Sequence, residues 1–129
     1  MNAPGVYGTL GQAAPTNVPG AREGAVSWTD AAGNLWLFGG VTGAGFGLND
    51  LWKYTPATSE WTWESGSSTV NAPGVYGTLG QAAPTNVPGA QASAVSWTDA
   101  AGNLWLFGGV GDDSTGTGGV LNDLWQYQP

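Results

Sequence analysis

Residues 2–41 read NAPGVYGTLGQAAPTNVPGAREGAVSWTDAAGNLWLFGGV, and residues 71–110 repeat this stretch with three substitutions. The differences form one cluster, in which Gln91, Ala92 and Ser93 replace Arg22, Glu23 and Gly24. A fixed period is the signature of a repeat architecture, in which one unit buries its apolar face only against a neighbouring unit. Repeats this similar also indicate either a very recent duplication or a designed sequence.

The composition favours short strands over helices. Glycine accounts for 23 of the 129 residues and tryptophan for 8. Glycine permits tight turns and tryptophan supplies large, rigid apolar surface, a combination typical of many short strands joined by turns. No stretch combines helix caps with the 3.6-residue apolar period of a helix. The sequence therefore predicts an all-β fold.

The inventory of charged and reactive side chains excludes several function classes. Two cationic residues stand against nine acidic ones, for a net charge of −7. We expect no binding to nucleic acid or to anionic membranes, because the chain lacks a basic patch that could neutralise phosphates. Cysteine and histidine are absent, which removes disulfides, thiolate nucleophiles, the usual general base and the commonest metal ligands. We expect no cofactor and no enzymatic activity, and no signal peptide or membrane span is recognisable.

Each repeat begins with a loop rich in Pro, Gly, Ala and Asn and continues in short strands. The loops are residues 2–21 and 71–90, which we interpret as packed surface loops. The seven predicted strands are residues 24–29, 35–38, 49–54 and 60–64 in the first repeat, and residues 93–98, 104–109 and 122–127 in the second. Tryptophans in strand 60–64 alternate with Glu60, Thr62 and Glu64, so we expect these three on the opposite, solvent-facing side.

The two repeats divide the chain into residues 2–70 and residues 71–129. The loop before the third strand is four residues longer in the second repeat, and that repeat lacks the last outer strand. A neighbouring molecule could lend this strand, the repeat could hold three strands, or further residues could supply it. The sequence leaves these alternatives open.

Several motifs in order carry a resemblance to a known family. LWLFGG, then NDLWKY, then a proline-containing turn and a tryptophan-rich strand resemble the kelch repeat, and Arg22 shortly after Pro19 also fits. The resemblance is closest to bacterial kelch proteins of the galactose-oxidase-like superfamily. It implies that each repeat is one four-stranded blade of a β-propeller. Gln91 departs from the family pattern, and the period of 69 residues exceeds the roughly 50 residues of kelch repeats. Copper chemistry of the galactose-oxidase kind is excluded, because histidine and cysteine are absent.

Two blades cannot close a propeller, which needs about 4–8 blades. We therefore predict a homo-oligomer whose copies meet head to tail, with a tetramer favoured over a trimer because large aromatic faces suit wider rings. The function implied is that of a structural, self-assembling propeller building block, either designed or excised from a longer protein. The residues predicted to form the core and the assembly surface are Trp28, Trp36, Phe38, Trp52, Trp97, Trp105, Phe107 and Trp125.

Other functions have weaker support. The long loops, together with residues 111–119, could form a face that binds a protein or a carbohydrate, and tryptophans could stack on sugars. Asp112 and Asp113 could hold Ca²⁺, but they match no calcium-binding pattern and are more typical of a solvated turn. The Asn-Asp pairs at 49–50 and 122–123 precede apolar strands, which favours turn capping over acid–base chemistry.

Overall fold

A computed structural model describes residues 3–129, so Asn2, the first residue of the predicted first repeat, lies outside the described residues. Residues 3–129 form antiparallel sheets and no helix, which confirms the all-β prediction. This part of the chain accordingly holds no helix that could cross a membrane.

Sheet 1 is a four-stranded antiparallel sheet from the first repeat. Its strands follow one another in the order β1-β2-β3-β4. They are β1 (Val26–Thr29), β2 (Leu35–Phe38), β3 (Leu51–Thr55) and β4 (Glu60–Ser65). Asp30 closes the β1–β2 hairpin by accepting hydrogen bonds from the backbone of Ala32 and Asn34. Gly33 completes this turn with a φ of +85°, a conformation that side chains other than glycine rarely adopt.

The second repeat forms two three-stranded sheets. Sheet 2 has the order β6-β7-β10, from β6 (Val95–Thr98), β7 (Leu104–Phe107) and β10 (Leu124–Tyr127). Sheet 3 has the order β5-β8-β9, from β5 (Gln91–Ala92), β8 (Val110–Asp112) and β9 (Gly118–Val120). The strands of sheet 3 were not predicted. The longer loop of the second repeat gives room for a β8–β9 hairpin, where the first repeat has only isolated bridges at Val41.

Sheets 1 and 2 pack face to face. We call the side of sheet 1 that carries Trp28, Trp36 and Phe38 its front face, and the side of sheet 2 that carries Leu104 and Leu106 its back face. Equivalent sides of the two sheets have the same name. The front face of sheet 2 therefore carries Trp97, Trp105 and Phe107, and the back face of sheet 1 carries Leu35 and Leu37. The front face of sheet 1 lies against the back face of sheet 2, and together they form the hydrophobic core.

The prediction that Glu60, Thr62 and Glu64 of β4 face solvent is wrong at one position. Thr62 is buried, whereas Glu60 and Glu64 are half-buried. Thr62 lies opposite Lys53 in the β3–β4 register, on the front face that sheet 2 covers. Lys53 also pairs with Glu64 at 3.2 Å between Nζ and Oε1. Strand β4 is therefore the edge of sheet 1, but its front face is not a free surface.

Candidate functional site

The front faces of the two sheets have the same apolar side chains but very different exposure. Trp28 is 8% exposed and Phe38 is 4% exposed in sheet 1, while their counterparts Trp97 and Phe107 are 45% and 42% exposed in sheet 2. Sheet 2 covers the front face of sheet 1, and no element within residues 3–129 covers the front face of sheet 2. This exposed apolar face is the candidate functional surface of the described chain, since large apolar patches are typical of interaction sites.

The back faces show the converse difference at β2 and β7. Leu104 is 1% exposed in sheet 2, whereas its counterpart Leu35 is 45% exposed in sheet 1. Leu106 is buried, and its counterpart Leu37 is half-buried. The described chain thus presents an uncovered front face at one end and, at the other, a back face that is open at Leu35 of β2 but covered at β3, where Tyr7 packs on the buried Trp52.

Polar contacts fix the alignment of the repeats where they meet. Trp28 donates its indole N–H to the carbonyl of Trp105 at 3.0 Å. Two backbone bonds lie beyond the end of β2. The Gly40 N–H donates to the Gln91 carbonyl at 2.8 Å, and the Ser93 N–H donates to the Gly24 carbonyl at 2.9 Å. The cluster of sequence differences between the repeats therefore lies where the repeats touch each other.

The other predicted aromatic residues divide between buried and half-buried positions. Trp36 and Trp52 are buried in the first repeat, and their counterparts Trp105 and Trp125 are half-buried in the second. Trp97 stacks on Trp105 with ring centroids 6.2 Å apart and planes within 3°. The buried tryptophans have no free ring face for a sugar, whereas Trp97 is exposed and Trp61 and Trp63 are half-buried.

A buried ion pair joins the loop, β2 and β3 in the first repeat. The Arg22 guanidinium donates to both carboxylate oxygens of Asp50, at 2.6 and 2.9 Å, and both side chains are buried. Its remaining bonds go to the carbonyls of Gly20 and Gly39. Tyr7 donates its hydroxyl to the same carboxylate at 2.6 Å. All the polar atoms of this cluster face protein partners, so it stabilises the fold and offers no reactive group.

The corresponding cluster of the second repeat lacks the cation. Gln91 reaches the Gly108 carbonyl at 3.0 Å, as Arg22 reaches Gly39, but it makes no bond to Asp123. Asp123 still accepts hydrogen bonds from Tyr76 and Trp125. Its Oδ1 atom and the Gln91 Oε1 atom are buried without a hydrogen-bond partner within residues 3–129.

The tyrosines of both clusters are neutral donors. Burial raises the pKa of the Tyr7 phenol well above its usual value, and the hydrogen bond to Asp50 raises it further. Burial likewise raises the pKa of Tyr76, with a further contribution from its hydrogen bond to Asp123. A phenol that stays protonated can donate to a carboxylate over the whole physiological pH range.

The candidate calcium residues do not form a cluster of ligands. Asp112 ends β8, whereas Asp113 lies in the following turn. The Asp113 Oδ1 atom accepts hydrogen bonds from the Thr115 hydroxyl and from the backbone of Thr115 and Thr117. No group of three or more acidic, histidine or cysteine side chains suited to a metal ion occurs within residues 3–129. This loop is a hydrogen-bonded hairpin turn.

Sequence reasoning missed the Arg22–Asp50–Tyr7 cluster. It assigned both Asn-Asp pairs to turn capping, and Asn49 does accept a hydrogen bond from the Ser67 backbone. Asp50 is instead the buried acceptor of Arg22, Tyr7 and Trp52. The recurrence of tyrosine and aspartate at equal positions in both repeats was the available signal, but it could not show that these residues meet.

Neither a protein-family model nor a curated protein matches the chain. The kelch resemblance therefore rests on the motifs in the sequence and remains a prediction.

Proposed function

We propose that the protein is a structural building block in which each repeat is one kelch-like propeller blade and several copies assemble head to tail into a closed propeller. One observation carries the proposal: apolar residues buried on the front face of sheet 1 have identical counterparts on the front face of sheet 2 that remain exposed. On the back face, Leu35 of sheet 1 is exposed and Leu37 is half-buried, whereas the identical residues Leu104 and Leu106 of sheet 2 are buried. A second copy can therefore repeat the contact that the two sheets already make within one chain.

The internal contact predicts the bonds between copies. The Trp97 indole N–H would donate to the Trp36 carbonyl of the next copy, as Trp28 donates to Trp105 within the chain. Gly109 N–H would donate to the Arg22 carbonyl of the next copy, as Gly40 donates to Gln91. Each of these donors and acceptors is either a backbone group or a tryptophan that both repeats share. The hydrogen bonds between copies therefore do not depend on the side chains that differ between the repeats.

One side chain makes the junction between copies differ from the internal one. Val120 occupies the position of Gly47 in the second repeat. A Cβ atom at Gly47 would lie 3.1 Å from the Ala90 Cβ, closer than side chains normally pack. Val120 of one copy would face Ala21 of the next copy in the same way. The two copies must therefore lie slightly farther apart at this point than the two repeats do within one chain.

Head-to-tail contacts form a ring only when the rotation per copy divides a full turn. With two blades per chain, four copies give an eight-bladed ring and three copies give a six-bladed one. Both numbers fall within the range of about 4–8 blades seen in propellers. The proposal is a tetramer, because wide aromatic side chains on the contact faces suit a larger ring.

The test is the native mass of the protein and of two charge variants, with a protomer of 13.1 kDa. We expect a single species of four protomers, and three would retain the proposal with a smaller ring. Phe107→Lys places a charge in the exposed front face and should give a monomer, whereas Ser114→Lys adds the same charge at the β8–β9 turn and should leave the mass unchanged. A stable wild-type monomer at micromolar concentration would refute the proposal.

A further inference from the structure

The outer edge of β10 differs from the equivalent edge in the first repeat. In sheet 1, the outer edge of β3 pairs with β4 over five residue pairs. No strand within residues 3–129 pairs with the outer edge of β10. The two strands share Leu, Trp and Tyr at equivalent positions and differ at Lys53 and Gln126, so β10 offers the same backbone edge as β3 and three of the same side chains. An edge of unpaired N–H and C=O groups is a pairing surface for another strand.

In the first repeat, the long loop holds β4 against this edge. Gly11 N–H donates to the Trp63 carbonyl at 2.7 Å, and the Asn17 side-chain amide donates to the Trp61 carbonyl at 3.0 Å. The Tyr7 ring lies edge-on to Trp63, with centroids 5.0 Å apart. The loop therefore recognises β4 by two backbone carbonyls and an aromatic contact.

In the second repeat, the loop of residues 72–90 keeps the backbone pairing of the first, with Val75 opposite Val87 as Val6 lies opposite Val18, but no outer strand pairs with β10 beside it. Asn86 donates to the Gln81 carbonyl at 3.1 Å, as Asn17 donates to Gln12 at 3.0 Å. Tyr76 packs on Trp125 at 5.0 Å, as Tyr7 packs on Trp52. Gly80 N–H, the counterpart of Gly11, has no backbone acceptor within residues 3–129. The groups that would contact an outer strand are thus already in position.

We propose that the outer edge of β10 and the loop of residues 72–90 form a binding site for an extended peptide with the pattern Trp-Thr-Trp between acidic residues. The peptide would add to sheet 2 as an antiparallel strand, the recognition mode known as β-augmentation. The β3–β4 register predicts one peptide tryptophan opposite Trp125 and the other opposite Tyr127. Gly80 N–H and the Asn86 amide would bond the carbonyls of those two tryptophans.

The strand that fills the site is a separate peptide and not the β4 strand of another copy. A copy that donated its β4 would uncover the edge of its own β3, so exchange between copies would leave the number of unpaired edges unchanged. The site also lies at the outer edge of sheet 2, whereas ring assembly uses the front face. Peptide binding therefore does not require the proposed ring, although the peptide threonine would lie on the front face, as the buried Thr62 does in sheet 1, and would be covered by the next copy in a ring.

The experiment titrates a fluorescent peptide, ATSEWTWESG, which copies residues 57–66, into the full-length protein and follows polarisation. We expect saturable binding of one peptide per chain in the wild-type protein and also in the assembly-deficient Phe107→Lys variant. A scrambled peptide, ATSEWWTESG, has the same composition but places its tryptophans on opposite sides of a strand, and should bind at least tenfold more weakly. Absence of saturable binding, or equal binding of the scrambled peptide, would overturn the proposal.

Two protein variants locate the binding. A chain with the same ten residues appended after Pro129 should fill the site itself and bind no peptide, and undiminished binding would place the peptide elsewhere and overturn the assignment. Gln126→Lys supplies the ammonium that Lys53 presents to Glu64 in sheet 1. This variant should bind about two- to fivefold more tightly, and the gain should vanish with a peptide whose second glutamate is glutamine. A dimer held by exchanged β4 strands that excludes the peptide would also contradict the proposal.

Discussion

At the scale of single residues, the most informative difference between the repeats is the exchange of Arg22 for Gln91. Arg22 neutralises the buried carboxylate of Asp50 with two hydrogen bonds. Gln91 is too short to do so, and one oxygen of Asp123 has no partner within residues 3–129. Leaving a buried acceptor unpaired costs about 1–3 kcal/mol, and more when it is charged.

The reciprocal variants Arg22→Gln and Gln91→Arg test this account. Arg22→Gln should lower the free energy of unfolding by about 2–3 kcal/mol, because the Asp50 carboxylate keeps only Tyr7 and Trp52 as side-chain donors. Gln91→Arg should raise the free energy of unfolding by about 1 kcal/mol by giving Asp123 a cation. Urea unfolding followed by tryptophan fluorescence measures both. Destabilisation by both variants would show that the two sites are not equivalent.

Sequence reasoning identified which residues are apolar and repeated, but not which of two identical copies is buried. Phe38 and Phe107 have the same neighbours in sequence, yet only Phe38 is covered. Whether the phenylalanine is buried depends on whether another sheet packs on the front face of its own sheet. No local sequence pattern contains that information. The same limit applies to Arg22 and Asp50, which are far apart in the chain and meet only through folding.

At the scale of elements, the two Asp-Ala-Ala-Gly-Asn hairpins are stabilised by ionised aspartates. Asp99 accepts hydrogen bonds from the Trp105 indole, from the Asn103 backbone and side chain, and from the Ala101 backbone. The Trp105 bond, followed by those of Asn103, lowers the Asp99 pKa to about 2. Burial opposes ionisation of Asp30, but the bonds from Trp36 and Asn34 outweigh it and lower the pKa of this group as well.

We expect acid to weaken both hairpins. A lowered folded-state pKa contributes stability above the unfolded value of 3.8, and this stability is lost as the pH falls through the folded value. The melting temperature should therefore drop between about pH 4 and pH 2. Asp99→Asn should have a lower melting temperature than the wild-type protein at pH 7. The difference between the two melting temperatures should become smaller as the pH falls from about 4 to about 2.

Thermal melts across the pH range, with Glu60→Gln as control, measure the effect. Glu60 accepts none of the hydrogen bonds that hold the two hairpins, so its variant controls for the loss of a carboxylate elsewhere. A constant gap between Asp99→Asn and wild type down to pH 2 would contradict the role assigned to the ionised carboxylate.

The seven strands of the two main sheets could be placed from the sequence to within about two residues, because each coincides with an apolar run bounded by turn residues. The three strands of sheet 3 could not. Strand β5 holds only two residues, and its pairing depends on Val110 and Gly111, which lie beyond β7 in the chain. Short strands of this kind are defined by their partners and carry little signal of their own.

At the scale of the whole molecule, the proposed assembly through the exposed front face would link stability to protein concentration. A ring that forms only from folded chains stabilises the folded state by mass action, so its melting temperature depends on protein concentration. Dilution from about 100 μM to about 1 μM should lower the wild-type melting temperature by several degrees. Scanning calorimetry or fluorescence melts at both concentrations provide the measurement.

The Phe107→Lys variant supplies the matched comparison. As a monomer it should melt at the same temperature at both concentrations, and below the wild-type protein. A wild-type melting temperature independent of concentration would argue against coupled folding and assembly, even if oligomers were observed by mass.

The β8–β9 hairpin has a consequence for the use of the molecule as a display platform. Its turn, residues 113–117, is the place where length already varies between two nearly identical repeats. An epitope or enzyme tag inserted there would appear once per chain, and a closed ring of copies would present it at regular intervals around the circumference. The valency of such a display would be set by the number of copies in the ring, and every insert would have the same tilt relative to the ring axis.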